Sequence, residues 1–286
     1  MPFFLALIAR LPLPVAHLLG AMLGPFLLLS QPRMRERMAN NLRQAELRKP
    51  FVGLGIAAEL GKLMLETPVL WHRPLETITG WVREVHGWEH VEAARAQGKG
   101  LLIITPHLGC WELAGMYYGA RLPLTALYQP PGKPWLERLM RAGRERGFLR
   151  TVPTATRGVR LLLETLRASE AVLILPDQGA REGQGVWVDF FGRQSYKPAL
   201  PYKLAQATGA VPLLFICERL SWGRGYRLWI DPVPPLPETL EGAAQVVNDR
   251  MENWVRRFPR QFLWTYPFYR MRKARKKKTG TEEVLQ

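Results

Sequence analysis

The sequence is poor in cysteine, and the two cysteines that it has lie far apart. Cys110 and Cys217 are separated by more than a third of the 286-residue chain. Small secreted folds that depend on disulfides carry cysteine at high density and close spacing. The scarcity of cysteine therefore excludes a disulfide-stapled scaffold and favours a reducing, cytosol-facing location.

Acidic residues are also few. Asp and Glu number 24 against 40 Lys and Arg, which gives a formal net charge of +16. Such a charge favours acidic partners: nucleic acid, an anionic membrane surface or an acidic protein. The chain has no internal repeat and no long low-complexity linker, and its 47% hydrophobic content is enough for a large buried core.

The longest apolar stretch lies at the N-terminus. Residues 3 to 29 contain a single formal charge, at Arg10, and Arg33, Arg35 and Arg37 follow. This pattern predicts a membrane-anchoring helical segment over residues 1–32, either spanning the bilayer or lying in its interface, with its C-terminal flank in the cytoplasm. Three prolines leave a soluble core hairpin as the alternative. A signal peptide is disfavoured because Arg10 lies inside the run and no small-residue cleavage site follows.

The rest of the chain divides by pattern into three parts. Residues 33–80 have helical spacing with a break near Pro50, which predicts a helical linker region. From 81 to 269, short apolar strands alternate with amphipathic helices, which predicts an α/β domain with a mostly parallel central sheet flanked by helices. Its active site is expected beyond the C-terminal ends of the strands. Residues 270–286 form a basic C-terminal tail, expected to be solvated or to rest on anionic lipid.

The segment GLLIITPHLGCWE, residues 100–112, carries the most specific chemical signal. An apolar strand ends at Thr105 and is followed by His107, with Glu112 five residues later. A five-residue step on a helix turns about 140° beyond a full turn, so His107 must lie in a loop or at a helix start. Glu112 could then accept a hydrogen bond from one imidazole nitrogen while the other takes a proton from a substrate hydroxyl. The alternative is that His107 caps the helix and Glu112 only favours its dipole.

A second polar pair follows another apolar strand. Asp177 and Gln178 come directly after AVLIL, residues 171–175, and are expected at the same edge of the sheet as His107. The alternative for Asp177 is a cap of the next turn. Further along, Gly192 permits a tight turn before Arg193, and Phe190 and Phe191 are expected in the core or in the wall of an acyl tunnel.

These motifs resemble a known family. His107 to Glu112 resembles the H-x-x-x-x-[DE] motif of the glycerolipid acyltransferase superfamily, and HLGCWE is similar to the H-x-G-x-W-E form of bacterial lipid A late acyltransferases. Other blocks resemble that family in the right order, so the resemblance covers nearly the whole chain. They are LPDQG (175–179), GVWVDFFGRQS (185–195), PYKLAQATGAVPL (201–213) and NWVRRFPRQFLWTY (253–266).

The resemblance implies transfer of a fatty acyl chain from acyl carrier protein to the hydroxyl of a 3-hydroxyacyl group on a lipid A precursor. His107 would be the general base and Glu112 its orienter, with no acyl-enzyme and no metal or redox cofactor. The enzyme would work at the cytoplasmic face of a bacterial inner membrane. The chain departs from the family at Gln129, between Tyr128 and Pro130, where an Arg is frequent, and at Cys110, where an Asn is frequent. A substrate-phosphate contact that Arg supplies there in the family must come from elsewhere in this chain or be missing.

A basic helix next to these motifs is a candidate for donor docking. In PGKPWLERLMRAGRERGF, three Arg recur every three residues and spread over one side of the helix. Such a patch would attract the acidic carrier protein that the resemblance implies. The alternative is an ordinary solvated face paired with Glu137 and Glu145. The predicted substrate-binding residues are Asp177, Gln178, Tyr128, Arg141, Arg144 and Arg193, with Lys133 and Arg138 completing the patch.

Other functions remain open. The acceptor could be a lysophospholipid or another glycolipid with coenzyme A as donor, which the H-x-x-x-x-E pair cannot distinguish. A basic membrane-bound scaffold or nucleic-acid binder is the non-enzymatic alternative, although no nucleic-acid motif is present.

His86, Glu89 and His90 match the zinc-protease pattern H-x-x-E-H, but Gly87 predicts a turn between the histidines. Cys110 is a possible nucleophile that direct attack by a hydroxyl makes unnecessary.

Overall fold

The computed structural model describes residues 3–47 and 50–270. Five helices precede the first strand: α1 (Phe3–Ala9), α2 (Leu13–Ser30), α3 (Pro32–Gln44), α4 (Val52–His72) and α5 (Leu75–Thr79). The following segment is β1 (Val82–His86), α6 (Trp88–Ala96), β2 (Leu101–Ile104), α7 (Trp111–Gly119), β3 (Leu124–Tyr128), α8 (Pro134–Arg144), β4 (Leu149–Pro153), α9 (Thr156–Arg167) and β5 (Ala171–Ile174). The last segment is β6 (Gly185–Phe190), β7 (Arg193–Pro198), α10 (Leu200–Thr208), β8 (Val211–Arg219), β9 (Tyr226–Pro232) and α11 (Leu240–Arg257), with short 3₁₀ turns at Ser221–Gly223 and Pro259–Gln261.

Seven strands form one sheet in the order β1-β9-β8-β2-β5-β3-β4. All neighbours are parallel except β8 and β9, so the predicted α/β class with a mostly parallel, helix-flanked sheet is confirmed. The antiparallel pair arises because only a short turn joins β8 to β9, too short for a parallel crossover. The edge strand β4 and the separate β6–β7 hairpin have no counterpart among the predicted strands.

The core lies on both faces of this sheet. Side chains alternate along β2, so Leu102 and Ile104 pack in one hydrophobic cluster while Leu101 and Ile103 pack in another on the opposite face. All four residues are at most 1% exposed. Burial on both faces explains the continuous apolar runs in the sequence.

Helix α2 packs directly against α4. A Cβ atom at Gly61 would lie 1.9 Å from the carbonyl oxygen of Gly20, and one at Gly24 would lie 1.8 Å from that of Ala57. Only glycine permits this backbone-to-backbone approach. One face of α2, which lies in the predicted anchor, is therefore packed against α4.

The opposite face of α2 is apolar and exposed. Leu18, Met22 and Phe26 follow one another at intervals of four residues, and their exposed fractions are 59%, 59% and 70%. Within the described part of the chain, α2 is the one helix whose length and composition would allow it to cross a membrane, and 33% of that stretch is buried in the protein. The predicted basic tail at 270–286 lies outside the described residues apart from Arg270.

A buried ionic cluster joins α2 and α4 to the sheet. Arg219, at the end of β8, donates two hydrogen bonds to Glu66 of α4, at 2.8 and 2.5 Å, and His17 of α2 lies 2.8 Å from the same carboxylate. Burial alone would raise the pKa of Glu66, but the nearby Arg219 and His17 outweigh it and hold that pKa below its ordinary value. Because Glu66 and Arg219 are 0% and 4% exposed, separating them would leave a charge buried without a partner.

Candidate active site

Two neighbouring parallel strands bring the site together. Strand β2 pairs with β5 so that Ile104 lies opposite Ile174. His107 comes three residues after Ile104, and Asp177 comes three residues after Ile174. In both segments a proline, which cannot donate to the ladder, immediately precedes the polar residue. The two side chains therefore leave the same edge of the sheet at the same height.

His107 and Asp177 form two hydrogen bonds. The ring Nδ1 of His107 lies 2.7 Å from Oδ1 of Asp177, and the backbone N–H of His107 donates to Oδ2 at 3.1 Å. Because a carboxylate only accepts, Nδ1 carries the proton and Nε2 of the neutral ring has a lone pair. Burial would raise the pKa of Asp177, but His107 and Lys197 lower it below its ordinary value. Asp177 therefore stays ionised and fixes the imidazole in one tautomer and orientation.

The loop that carries His107 is held on both sides. Gly109 has φ of +62°, and a Cβ there would lie 2.0 Å from the carbonyl oxygen of Cys217. Arg219 Nη2 donates to the Gly109 carbonyl at 2.9 Å, and the backbone N–H of Leu263 donates to the His107 carbonyl at 3.1 Å. These contacts hold the backbone of the His107 loop in one conformation.

Glu112 does not have the partner that its spacing suggested. In the described structure its carboxylate accepts from Nε of Arg144 at 2.8 Å, from Nη2 of the same guanidinium, and from Nε1 of Trp71 at 3.2 Å, and it makes no hydrogen bond to His107. The expected hydrogen bond between Glu112 and the imidazole is therefore not formed, and Asp177 bonds the imidazole instead. The physical reason is that Glu112 lies inside α7, where it points towards α8. The orienting role of Glu112 in the reaction stays a prediction. Burial would raise the pKa of Glu112, and the charge of Arg144 lowers it below its ordinary value.

His107 and Gln178 lie at the edge of a cavity of about 380 Å³. Gln178 Nε2 is 3.2 Å from Nε2 of His107, so its amide faces the lone pair of the base. The cavity has both polar and apolar lining residues. Its polar lining includes Glu112, Arg144, Tyr128, Gln129 and Thr154, and its apolar lining includes Trp111, Met116, Met140, Leu149, Leu173 and Leu175.

Tyr128 also lines this cavity. Its hydroxyl donates to Glu137 at 2.6 Å, and burial together with that carboxylate raises the pKa of Tyr128 to about 12. Arg144 belongs to the same cavity, and only 22% of its side chain is exposed. Arg141 is 47% exposed and pairs with Glu145 one helical turn away. The four basic residues after Pro131 therefore do not share one solvent-facing patch, because Arg144 turns inward to Glu112.

Arg193 lies outside the cavity. It begins β7 in the hairpin, and its guanidinium lies 4.8 Å from the ring centre of Tyr269. Phe190 and Phe191 are 1% and 3% exposed and pack in the hydrophobic core with Phe262 and other aromatic rings. Phe190, Phe191 and Arg193 of the hairpin thus contribute packing, and their side chains do not line the cavity.

The two remaining candidates, Cys110 and the H-x-x-E-H segment, are explained by their structural surroundings. Cys110 is fully buried at the start of α7, and burial raises the pKa of its thiol well above the ordinary value. A buried neutral thiol is a poor nucleophile. Gly87, at φ of +88°, separates His86 on β1 from His90 on α6, and His86 bonds Glu84 and stacks on Trp229.

Three residues of the site had no signal in the sequence. Lys197 donates to the backbone carbonyl of Asp177, Arg219 holds the Gly109 carbonyl, and Trp71 bonds Glu112. Each contact joins residues at least 20 positions apart, and neither spacing nor composition identifies such partners. The order of the strands is the information that sequence reasoning lacked.

Comparison with known proteins identifies the chemistry. The chain is 28% identical over 277 residues to the lipid A biosynthesis lauroyltransferase of Escherichia coli K12, covering 93% of this chain and 89% of that protein. It is 27% identical over 271 residues to the E. coli K12 lipid A biosynthesis palmitoleoyltransferase, covering 92% and 87%. It is also 32% identical over 164 residues to the phosphatidylinositol mannoside acyltransferase of Mycobacterium tuberculosis H37Rv, covering 54% of this chain and 50% of that protein.

The protein is an acyltransferase, as the names of these relatives and the histidine beside an apolar cavity agree. The model of one family, described as bacterial lipid A biosynthesis acyltransferase, matches residues 2–271. The chain therefore belongs to the bacterial lipid A biosynthesis acyltransferase family. The family resemblance of the sequence motifs is confirmed.

Replacing Asp177 by Asn tests which carboxylate orients the histidine. We expect Asp177→Asn to lower the turnover number for acyl transfer by about 10²- to 10⁴-fold, because an amide can hold the imidazole in the wrong tautomer. Glu112→Gln is expected to lower the free energy of unfolding by about 1–3 kcal/mol, because Arg144 loses its charged partner. Turnover and denaturant unfolding would be measured for both variants. Wild-type turnover in Asp177→Asn would contradict the assignment of Asp177.

Proposed function

We propose that this enzyme transfers a fatty acyl chain from acyl carrier protein to the hydroxyl of a 3-hydroxyacyl group on a lipid A precursor, with His107 as general base. The observation that carries the proposal is the His107–Asp177 pair at the edge of the apolar cavity, with Nδ1 2.7 Å from the carboxylate. The family membership supports lipid A chemistry. The lauroyl- and palmitoleoyltransferase names of relatives support a fatty acyl donor.

The reaction is direct attack by the acceptor hydroxyl on the donor thioester. His107 Nε2 takes the hydroxyl proton as the oxygen bonds to the thioester carbonyl carbon, which forms a tetrahedral intermediate. Collapse of the intermediate breaks the carbon–sulfur bond, and the imidazolium returns its proton to the departing thiol. The products are an ester and a free carrier thiol. Asp177 stabilises the imidazolium between these steps, and no protein nucleophile takes part.

Gln178 is suited to contact the reacting groups. Its amide nitrogen lies 3.2 Å from His107 Nε2, which is the space that an acceptor hydroxyl must enter. An approaching hydroxyl would displace the amide and accept a hydrogen bond from it. Gln178 would thereby hold the hydroxyl oxygen with its proton directed at the base, an arrangement that raises rate by orientation.

The apolar cavity is the expected acyl site. Met116, Met140, Leu149 and Leu173 line it, and Gly115 in α7 adds no side chain to the lining. An alkyl chain in such a lining gains about 0.8 kcal/mol for each buried CH₂. The preferred chain length would follow from the space left between these side chains.

Arg144 is the candidate for a phosphate contact. It lines the cavity near Gln129, the position at which relatives of the resembled family often carry Arg. A guanidinium has five N–H donors, more than the carboxylate of Glu112 can accept, so an anionic oxygen could bind it as well. Acceptors other than a lipid A precursor should also be assayed, because a phosphatidylinositol mannoside acyltransferase is 32% identical over 164 residues.

We place the enzyme on the cytoplasmic face of the bacterial inner membrane, with α2 lying in the interface. The exposed apolar side of α2 faces lipid, while its glycine side stays on α4. A spanning α2 would draw α4, with its ionised Glu66, into hydrocarbon, where charge is costly. Trp222 is 85% exposed in the turn that contacts the start of α2, and tryptophan favours the interface.

Replacing His107 and Cys110 tests the mechanism. We expect His107→Ala to lose most acyl transfer, because a general base contributes about 10²- to 10⁴-fold in rate, whereas Cys110→Ser keeps activity because no acyl-enzyme forms. Mass spectrometry of lipid A from a strain lacking the protein, complemented with each variant, gives the acceptor and the chain. A full acyl complement with His107→Ala would overturn the mechanism. If the strain lacking the protein has unchanged lipid A but another glycolipid lacks an acyl chain, that glycolipid is the acceptor.

Charge reversal on α8 tests the donor. Arg138 and Arg141 are exposed, so Arg138→Glu with Arg141→Glu should raise the apparent KM for acyl carrier protein substrate, and added salt should slow the wild type. The matched control is Arg157→Glu with Arg160→Glu, which has the same spacing on exposed positions of α9. Equal use of acyl-coenzyme A, with no effect of salt or reversal, would reject the carrier protein.

Polar substitution of the exposed face of α2 tests the membrane contact. Leu18→Gln, Met22→Gln and Phe26→Gln together should move the protein from the membrane fraction towards the soluble one, because the apolar area that enters lipid is lost. Thermal unfolding should stay near wild type, since the glycine side is untouched. Phe148→Gln with Trp187→Gln, at 60% and 48% exposed positions, is the control that should stay membrane-bound. Unchanged membrane binding of the triple variant would place the anchor elsewhere.

A further inference from the structure

A buried lysine lies directly behind the catalytic pair. Lys197, on β7, is 1% exposed and donates from Nζ to the backbone carbonyl of Asp177. Its ammonium lies 4.1 Å from the ring centre of Phe190 and 5.0 Å from that of Phe268. The cation is thus enclosed by aromatic rings on one side and by the Asp177 turn on the other.

Such a placement is unfavourable for folding alone. A buried ammonium loses its hydration, and neutral apolar residues of similar volume usually fill a core with equal or greater stability. Burial lowers the pKa of Lys197 to about 8, although the negative charges of Asp177 and Glu252 act in the other direction. Strongly perturbed lysines of this kind are concentrated at functional sites.

The charges of the site account for the lysine. When His107 is neutral and ready to accept a proton, the buried carboxylate of Asp177 has no cation on the imidazole side. Lys197 supplies a cation on the backbone side of Asp177, and its charge contributes to the lowered pKa of Asp177. Its hydrogen bond also fixes the Asp177 backbone, and therefore the direction of the carboxylate towards Nδ1.

We propose that Lys197 is a positioning residue, which keeps the Asp177 carboxylate ionised and aimed at His107 in the resting enzyme. The proposal rests on the proposed function of His107 as general base. Lys197 does not touch substrate, because the Asp177 turn and the aromatic rings separate it from the cavity. Its effect on the reaction passes through Asp177 alone.

The pH dependence of turnover tests this role. Lys197→Met removes the charge at similar volume and should lower the turnover number about tenfold, within the usual coupling between contacting residues. Loss of a nearby cation makes the Asp177–His107 pair bind its proton more tightly, so the acid limb of the pH–rate profile should move up by about 1 pH unit. Lys203→Met, on the exposed side of α10, is the matched control and should leave both unchanged.

A neutral variant that keeps a donor separates charge from hydrogen bonding. Lys197→Gln can still bond the Asp177 carbonyl, so the proposal expects a shifted acid limb with a smaller loss of turnover than in Lys197→Met. Lys197→Gln also serves if the methionine variant fails to unfold cooperatively. A wild-type acid limb in the folded neutral variants would overturn the proposal.

A double-mutant cycle shows whether Lys197 acts through Asp177. In an Asp177→Asn background, Lys197→Met should cause little further loss of turnover, because the carboxylate that it serves is gone. A purely structural lysine would instead multiply the two losses, which would reject the proposal. If His107→Ala and Asp177→Asn both kept full turnover, the base mechanism would fail first. Loss in those variants with no effect of Lys197→Met would reject only the role of Lys197.

Discussion

The buried pair of Arg219 and Glu66 is the interaction on which most of this structure depends. Arg219 ends β8, Glu66 lies in α4, and His17 of α2 joins the same carboxylate at 2.8 Å. Arg219 also bonds the carbonyl of Gly109, two residues after His107. The Arg219–Glu66 pair therefore ties together the sheet, the α2–α4 helix pair and the loop that carries His107. Removing any partner would strand a charge that water cannot reach, so these three parts keep one arrangement.

The His107–Asp177 pair is a consequence of strand order. Parallel strands β2 and β5 are neighbours, with Ile104 opposite Ile174, and each continues through a proline to a polar residue. The carboxyl ends of such strands form the usual site of α/β proteins. Asp177 needs no motif spacing relative to His107, because the sheet sets their distance. This also explains how the imidazole bonds an acid 70 residues away and not the one five residues away.

Much of the fold could be predicted from the sequence, whereas the partners within the site could not. Continuous apolar runs such as residues 101–104 and 171–175 predicted buried strands, which the structure has as β2 and β5. The strand β4, with two polar residues in its five, lacks such a run. The sequence predicted that Asp177 and Gln178 lie at the same edge of the sheet as His107. It did not predict that they contact His107, because the adjacency of β2 and β5 is a property of the whole sheet. Lys197 and Arg219 act through backbone carbonyls, which leave no trace in residue spacing.

The acid of the H-x-x-x-x-E segment has a different physical task from the one its spacing suggests. Glu112 starts the helix after the histidine loop and binds Arg144 of α8, with Trp71 of α4 donating to the same carboxylate. The five-residue interval thus links the loop to α8, which lines the cavity, and to α4. Glu112 keeps the charge of Arg144 beside the apolar lining, where an unpaired guanidinium would otherwise draw water. The imidazole of His107 and the guanidinium of Arg144 therefore have separate carboxylate partners, Asp177 and Glu112, and both carboxylates are buried.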